Sequence, residues 1–164
     1  MLKALAVSCV GLCLGLCATV AGAEQLPKSG SIGWHTGWKL AADAMTVADK
    51  TGLGHGSVVG VTFNDKGVGP LQLGPAECVF TFFVVDGKGT NLGYCAFGDA
   101  DGDRIFTQFT GKLGLPNGYD EGTNVISGGT GKYAGIQGSG PWKCKGAGTN
   151  GESQCVQRLD YRLP

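Results

Sequence analysis

The chain has no excess of charge of either sign, with Lys+Arg 13 and Asp+Glu 13 among 164 residues. A protein that grips nucleic acid normally carries a basic surplus to meet the phosphates, so nucleic acid is not an expected partner. Charge of any sign is scarce, at 16%, while hydrophobic residues reach 42%. That balance supplies enough apolar surface to fold and argues against disorder over most of the length. Histidine occurs only at His35 and His55, without metal-ligand spacing. The phosphate-loop pattern GxxxxGK[ST] is missing, and so is a nucleophile motif. No Pro/Ser linker, charge block or long-period repeat divides the chain, so a single domain is expected. No metal and no cofactor is assigned.

Glycine is what the chain has in abundance, 31 residues, against roughly 7% in average usage. There is no G-X-Y period, so collagen is excluded. Each glycine inside a helix costs about 1 kcal/mol relative to alanine, so long helices are disfavoured and a β domain fits. The N-terminus stands apart. Lys3 precedes an almost wholly apolar or small stretch from Ala4 to Val20, and Ala21-Gly22-Ala23 has the small-x-small pattern of a signal-peptidase site. A membrane anchor is the alternative, but a run of about 17 residues is at the low end for a spanning helix. Residues 1–23 are therefore read as a secretory signal, with no membrane segment after its removal. Residues 24–30 follow as a loose lead, and 31–164 as the domain. Cys9, Cys13 and Cys17 leave with the signal. Cys78, Cys95, Cys144 and Cys155 remain, an even set that reads as disulfides in an exported protein, periplasmic or extracellular.

Strand-like runs recur between glycine-rich turns: 32–40, 44–48, 57–64, 78–85, 88–97, 104–111, 122–126, 135–145 and 152–161. Ile32, Trp34, Thr36, Trp38 and Leu40 share one face of the first. Eight or nine short strands suggest a closed antiparallel barrel or a sandwich. Asp86-Gly87 is a strong two-residue turn signal. Centring the hairpin there pairs Val85 with Lys88 and brings Cys78 opposite Cys95. That pair falls in the non-hydrogen-bonded class, whose Cα atoms lie about 4.5 Å apart, within reach of a disulfide. Cys144 and Cys155 likewise flank a glycine-rich turn. Bridges 78–95 and 144–155 are preferred over the two other connectivities.

Residues 128–140, GGTGKYAGIQGSG, resemble the glycine-rich segment of allene oxide cyclase-like and dirigent-like barrels. Gly128 and Gly129 end a strand, a short turn holds Lys132 and Tyr133, and a glycine-spaced strand follows. The runs 74–78, 98–103 and the C-terminal LDYRLP are similar to secreted bacterial members of this group without assigned activity. The resemblance implies an all-β, eight-stranded antiparallel barrel of the allene oxide cyclase-like (calycin-type) kind, with an apolar cavity and often a homotrimer. It also implies, as the alternative function, a cyclase or isomerase acting in the cavity. It carries over no catalytic residue: the acidic residues of those enzymes match no position here.

Asp99, Asp101 and Asp103 have the 1-3-5 spacing that opens a calcium loop, but Arg104 stands where that loop needs glycine and Thr110 where it needs glutamate. A hairpin cornered at Asp101-Gly102 is the better reading. Glu77 and Asn64 sit at strand ends beside apolar residues. A carboxylate facing an apolar cavity would have a raised pKa and could serve as an acid or base. Trp34, Trp38, Phe80, Phe82 and Tyr94, with Phe63, could line a pocket for a small hydrophobic ligand or simply fill the barrel. Apolar residues on both faces of the 78–85 strand hint at cover by another subunit. The expected function is an exported, disulfide-stabilised barrel, either binding a small hydrophobic ligand or serving a structural role without catalysis.

Overall fold

The computed structural model describes residues 26–116, 118–146 and 150–164; the expected signal segment lies outside the described residues. Eight strands among them close into one antiparallel barrel in chain order. They are β1 (Ser29–Ala48), β2 (Thr51–Asn64), β3 (Leu73–Val85), β4 (Lys88–Asp99), β5 (Arg104–Leu113), β6 (Asp120–Gly129), β7 (Gln137–Gly146) and β8 (Glu152–Arg162). One 3-10 turn, Gly131–Tyr133, links β6 to β7. Closure comes from β1, which pairs with β2 on one side and β8 on the other. This is the architecture implied by the glycine-segment resemblance.

Three expectations about the elements need correction. The runs 32–40 and 44–48 are one strand. β2 pairs with β1 from Trp34 through Ala48, so the partner's ladder carries the chain through an alanine-rich stretch with little pattern of its own. Second, β1 begins at Ser29, inside the expected loose lead; Ser29 and Gly30 pair with Arg162 and Tyr161. The Leu163 amide also donates to the Lys28 carbonyl at 2.7 Å. Third, the strand expected over 57–64 begins at Thr51, so His55 lies in β2 opposite Asp43 and Thr81. The glycines around it are strand residues against which neighbouring side chains pack.

The central hairpin has the expected register. Val85 opposes Lys88 and Cys78 opposes Cys95. Asp86 and Gly87 have φ of 50° and 76°, the positive values that a type I′ turn requires at both central positions. The disulfides are Cys78–Cys95 and Cys144–Cys155, with Cα atoms 4.1 Å and 4.0 Å apart.

Period-2 alternation turns every second side chain inward, and these stack in layers along the barrel axis. One end is solid: Trp34, Phe97, Ile105, Leu159, Leu71 and Tyr133 are fully buried there. Trp34 meets Phe97 edge-to-face at 5.1 Å. The next layer is polar and hydrogen-bonded. Thr107 donates to Asn124 (3.2 Å), Asn124 to Gln157 (3.2 Å), and Gln157 to Thr36 (3.0 Å). Asn124 stands opposite Gly140 of β7; with no side chain in that position, its amide can reach across to β8. A satisfied chain of this kind avoids the penalty of about 1–3 kcal/mol for each buried group left without a partner.

Candidate functional site

Above the polar layer the barrel is not filled. A cavity of about 360 Å³ opens there, within the usual range of ligand pockets, about 300–1,000 Å³. Its walls are mainly apolar: Trp38 and Leu40 from β1, Val58 from β2, Phe80 from β3, Phe109 from β5 and Trp142 from β7. All four disulfide cysteines line it, one bridge on β3–β4 and the other on β7–β8. Gln157 contributes from the polar layer beneath. Asp120, Lys145 and Glu152 border the cavity. Asp120 accepts the Gly114 amide at 2.8 Å. Glu152 pairs with Lys39 at 3.0 Å, and that hydrogen bond holds its carboxyl below the usual range.

Two polar atoms in the wall stand out. Asn91 Oδ1 and Trp142 Nε1 are both buried without a hydrogen-bond partner. Asn91 opposes Gly111 in the β4–β5 register. The Trp142 ring occupies the space a side chain at Gly111 would take. Phe109 meets the same ring edge-to-face at 5.6 Å.

The expected site residues divide. Trp38 and Phe80 line the cavity. Phe82 is on the same inward face, half-buried, with its ring 6.4 Å from that of Phe80. Trp34 belongs to the solid end. Three candidates are corrected. Glu77 is on the outer wall, largely exposed, and pairs with Arg104 at 3.0 Å. It falls there because β3 alternates and Cys78 takes the inward position. Asn64 is buried but clamps the β2–β3 connection: it donates to the Pro70 carbonyl at 2.6 Å and accepts the Lys66 amide at 2.8 Å. Tyr94 opposes Val79 on the outer face and is 54% exposed. Phe63 is also on the outer side, stacked on His35. Asn91, Val58, Phe109 and Trp142 were not singled out from the sequence. The disulfides offered the signal: Asn91 precedes Cys95 by four residues and Trp142 precedes Cys144 by two, so both share the inward face of their cysteine.

No family model matches the chain, and no curated protein matches it. Among solved structures the chain is similar to a pterocarpan synthase dirigent protein, at 14% identity and a TM-score of 0.49. The match covers 92% of this chain and 97% of that one.

The aspartate cluster has a structural occupation at the opposite end. Asp99 and Asp103 are bridged by a 3.1 Å backbone hydrogen bond across the hairpin between β4 and β5. The Lys132 ammonium lies 2.7 Å from Asp99 and 2.8 Å from Asp101, and the Lys132 amide donates to Asp103 at 3.0 Å. Tyr133 donates its hydroxyl to Asp99 at 2.7 Å. The glycine-rich segment is thus a plug, fastened by its lysine and tyrosine to the three carboxylates. Burial pushes the Asp99 carboxyl up, and the hydrogen bond with Asp101 adds to this against Lys132 and Tyr133. Hydrogen bonds with Asp99 and Lys132 lower Asp101 to about 2. Burial pushes the Tyr133 hydroxyl far up, reinforced by Asp99. For Lys132, burial works downward, but Asp101 and Asp99 outweigh it and its pKa is raised.

Proposed function

We propose that the chain is an exported, disulfide-stabilised barrel that binds a small apolar ligand in its cavity without catalysing a reaction. The observation that carries this is the cavity itself: about 360 Å³, walled by aromatic and aliphatic side chains and floored by a satisfied polar layer. Sites of this kind hold ligands by burying apolar surface and orient them with a few polar groups. The bordering carboxylates support binding over chemistry, since Asp120 and Glu152 are already engaged. The two disulfides support an oxidising compartment, the periplasm or the extracellular space.

Titration with the neutral apolar dye N-phenyl-1-naphthylamine tests this. The expected result is saturable binding of one dye per barrel, with quenching of tryptophan emission from Trp38 and Trp142. Val58→Phe, which projects a ring into the cavity from β2, should weaken the dye at least tenfold while the fold is retained. Non-saturable uptake, or an unchanged affinity in folded V58F, would put the dye elsewhere and remove the cavity reading.

A further inference from the structure

We infer that the cavity mouth is the route by which small thiols reach the two disulfides of the folded barrel, and that a bound ligand closes it, so that the empty barrel is reduced and the loaded one spared. The closing step rests on the cavity being a ligand site; the route does not. All four cysteines line the cavity. Cys78, Cys95 and Cys155 are 6%, 8% and 5% exposed, and Cys144 is half-buried. Cys95 is the cross-strand neighbour of Thr107, and Cys155 of Thr36. Both threonines belong to the polar layer, so the bridges sit at the cavity floor, beneath whatever occupies it. Approach from outside meets backbone. The β3–β4 ladder is unbroken from Ala76–Phe97 to Val85–Lys88, and the β7–β8 ladder from Trp142–Gln157 to Gly146–Ser153. From below, the polar layer and the buried side chains of the solid end close the barrel. Among the described residues the mouth is the way left.

Thiol–disulfide exchange requires a thiolate in contact with the bridge itself. The reagent's sulfur bonds to one Sγ, the Sγ–Sγ bond breaks, and the other cysteine leaves as a thiolate that takes up a proton. A dithiol then closes on itself and releases the first cysteine. The dithiol is oxidised and the bridge reduced, with two electrons passing between them. The attacking sulfur must therefore reach the floor, and an occupant of the cavity stands in its path. The same bridges fasten the β3–β4 and β7–β8 hairpins, from which Phe80 and Trp142 wall the cavity. Reduction loosens the ligand's own walls, so the ligand favours the oxidised barrel by the same factor by which reduction weakens the ligand. Occupancy thereby guards the oxidised fold.

Reduction of the intact protein by dithiothreitol, a small dithiol, tests this, with each bridge followed by alkylation and peptide mass. N-phenyl-1-naphthylamine at about ten times its Kd leaves about one barrel in eleven empty, so both bridges should be reduced about tenfold more slowly. A ligand that acted only by stabilising the fold would slow reduction through unfolding in the same proportion, and two readings separate the routes. Rates through the mouth should stay constant in urea too dilute to unfold the barrel. Rates that climb with urea in step with the unfolding constant would overturn the mouth as the route. Val58→Phe, without ligand and shown to be folded by its melting curve, separates the bridges. Val58 opposes Cys78, so the added ring should slow reduction of Cys78–Cys95 severalfold and that of Cys144–Cys155 far less. No effect, or an equal effect on both bridges, would also overturn the route. If the dye binds with quenching and both rates are unchanged, the closing step falls while the cavity remains a ligand site. If the dye does not bind, the closing step falls with the ligand reading, and the V58F rates still decide the route.

Discussion

Tyr133 shows how one buried hydroxyl can hold an end of a barrel. It is fully buried, and its hydrogen bond reaches Asp99 across from the neighbouring hairpin. A bond of that kind to a charged partner contributes about 1.5–3 kcal/mol, so Tyr133→Phe should lower the unfolding free energy by about 2 kcal/mol at pH 7. The deficit should depend on pH in one direction. Tyr133 keeps its proton in the folded barrel well above its ordinary value of 10.0, whereas the unfolded chain loses it near there. Above pH 10 the folded state therefore binds more protons than the unfolded state, and the tyrosine's contribution falls as pH rises. Phenylalanine has no such loss, so the gap between the two proteins should narrow between pH 9 and 11. Lys132, with its raised pKa, has a contribution present below 10.5 and lost above it. Most of that loss is common to both proteins and cancels in the difference. Urea unfolding midpoints at pH 7, 9, 10 and 11 would measure this, and a gap constant across the series would refute the buried-tyrosine account.

At the scale of the strand pair, the two disulfides close hairpins rather than distant loops, spanning 17 and 11 residues. Restricting the unfolded chain in this way contributes about 2–4 kcal/mol per bridge. The double change Cys144→Ala/Cys155→Ala should therefore lower the unfolding free energy by about 2–4 kcal/mol, read from urea midpoints at unchanged slope. A loss below about 0.5 kcal/mol, the scale of ordinary surface changes, would mean that the β7–β8 ladder alone holds this hairpin. The bridges also explain which parts of the fold were legible in the sequence. Asp86-Gly87 sets the register of β3 and β4 locally, so pairing Cys78 with Cys95 followed from counting. The continuity of β1 through Ala41–Ala48 was not legible, because its support is β2's ladder and not a pattern in the alanines. Glu77 read as a cavity acid because it sits beside apolar residues; its parity relative to Cys78 puts it outside. Asn91 and Trp142 have no local signature. Only the inward face of the cysteines marks their side, and only three-dimensional packing shows that each has a buried polar atom without a partner.

At the scale of the whole barrel, the outer wall of β2–β4 carries exposed apolar side chains among its polar ones. Val59 (58%), Val79 (61%), Leu92 (43%) and Tyr94 (54%) are exposed on it. Single exposed apolar residues are ordinary, but a contiguous group marks an interaction surface. Val79 opposes Tyr94 directly, Leu92 lies two residues from Tyr94 on the same face of β4, and Val59 is diagonal to Val79, two residues beyond its partner Ser57 and opposite Glu77. Beyond Leu40, whose amide donates to the Gly151 carbonyl at 2.8 Å, the β1 strand also continues to Ala48 without a partner on that side among the described residues. A free edge of this length is a ready template for strand addition. Copies of the chain are therefore expected to associate through the apolar wall, and sedimentation velocity should show a species heavier than one barrel at micromolar concentration. Val79→Lys together with Tyr94→Lys puts two like charges into that wall on the face opposite the cavity. The double variant should sediment as a monomer and keep its affinity for N-phenyl-1-naphthylamine. Continued association would move the contact to the β1 edge, where Ala44→Pro, of the same parity as Leu40 whose amide faces the β8 side, should then disrupt it. A wild-type protein that is monomeric throughout would leave the wall uncovered by its own kind. The contact and the cavity use opposite faces of the same strands, so assembly and ligand binding should vary independently, and a joint loss in the lysine variant would show that the wall positions the cavity.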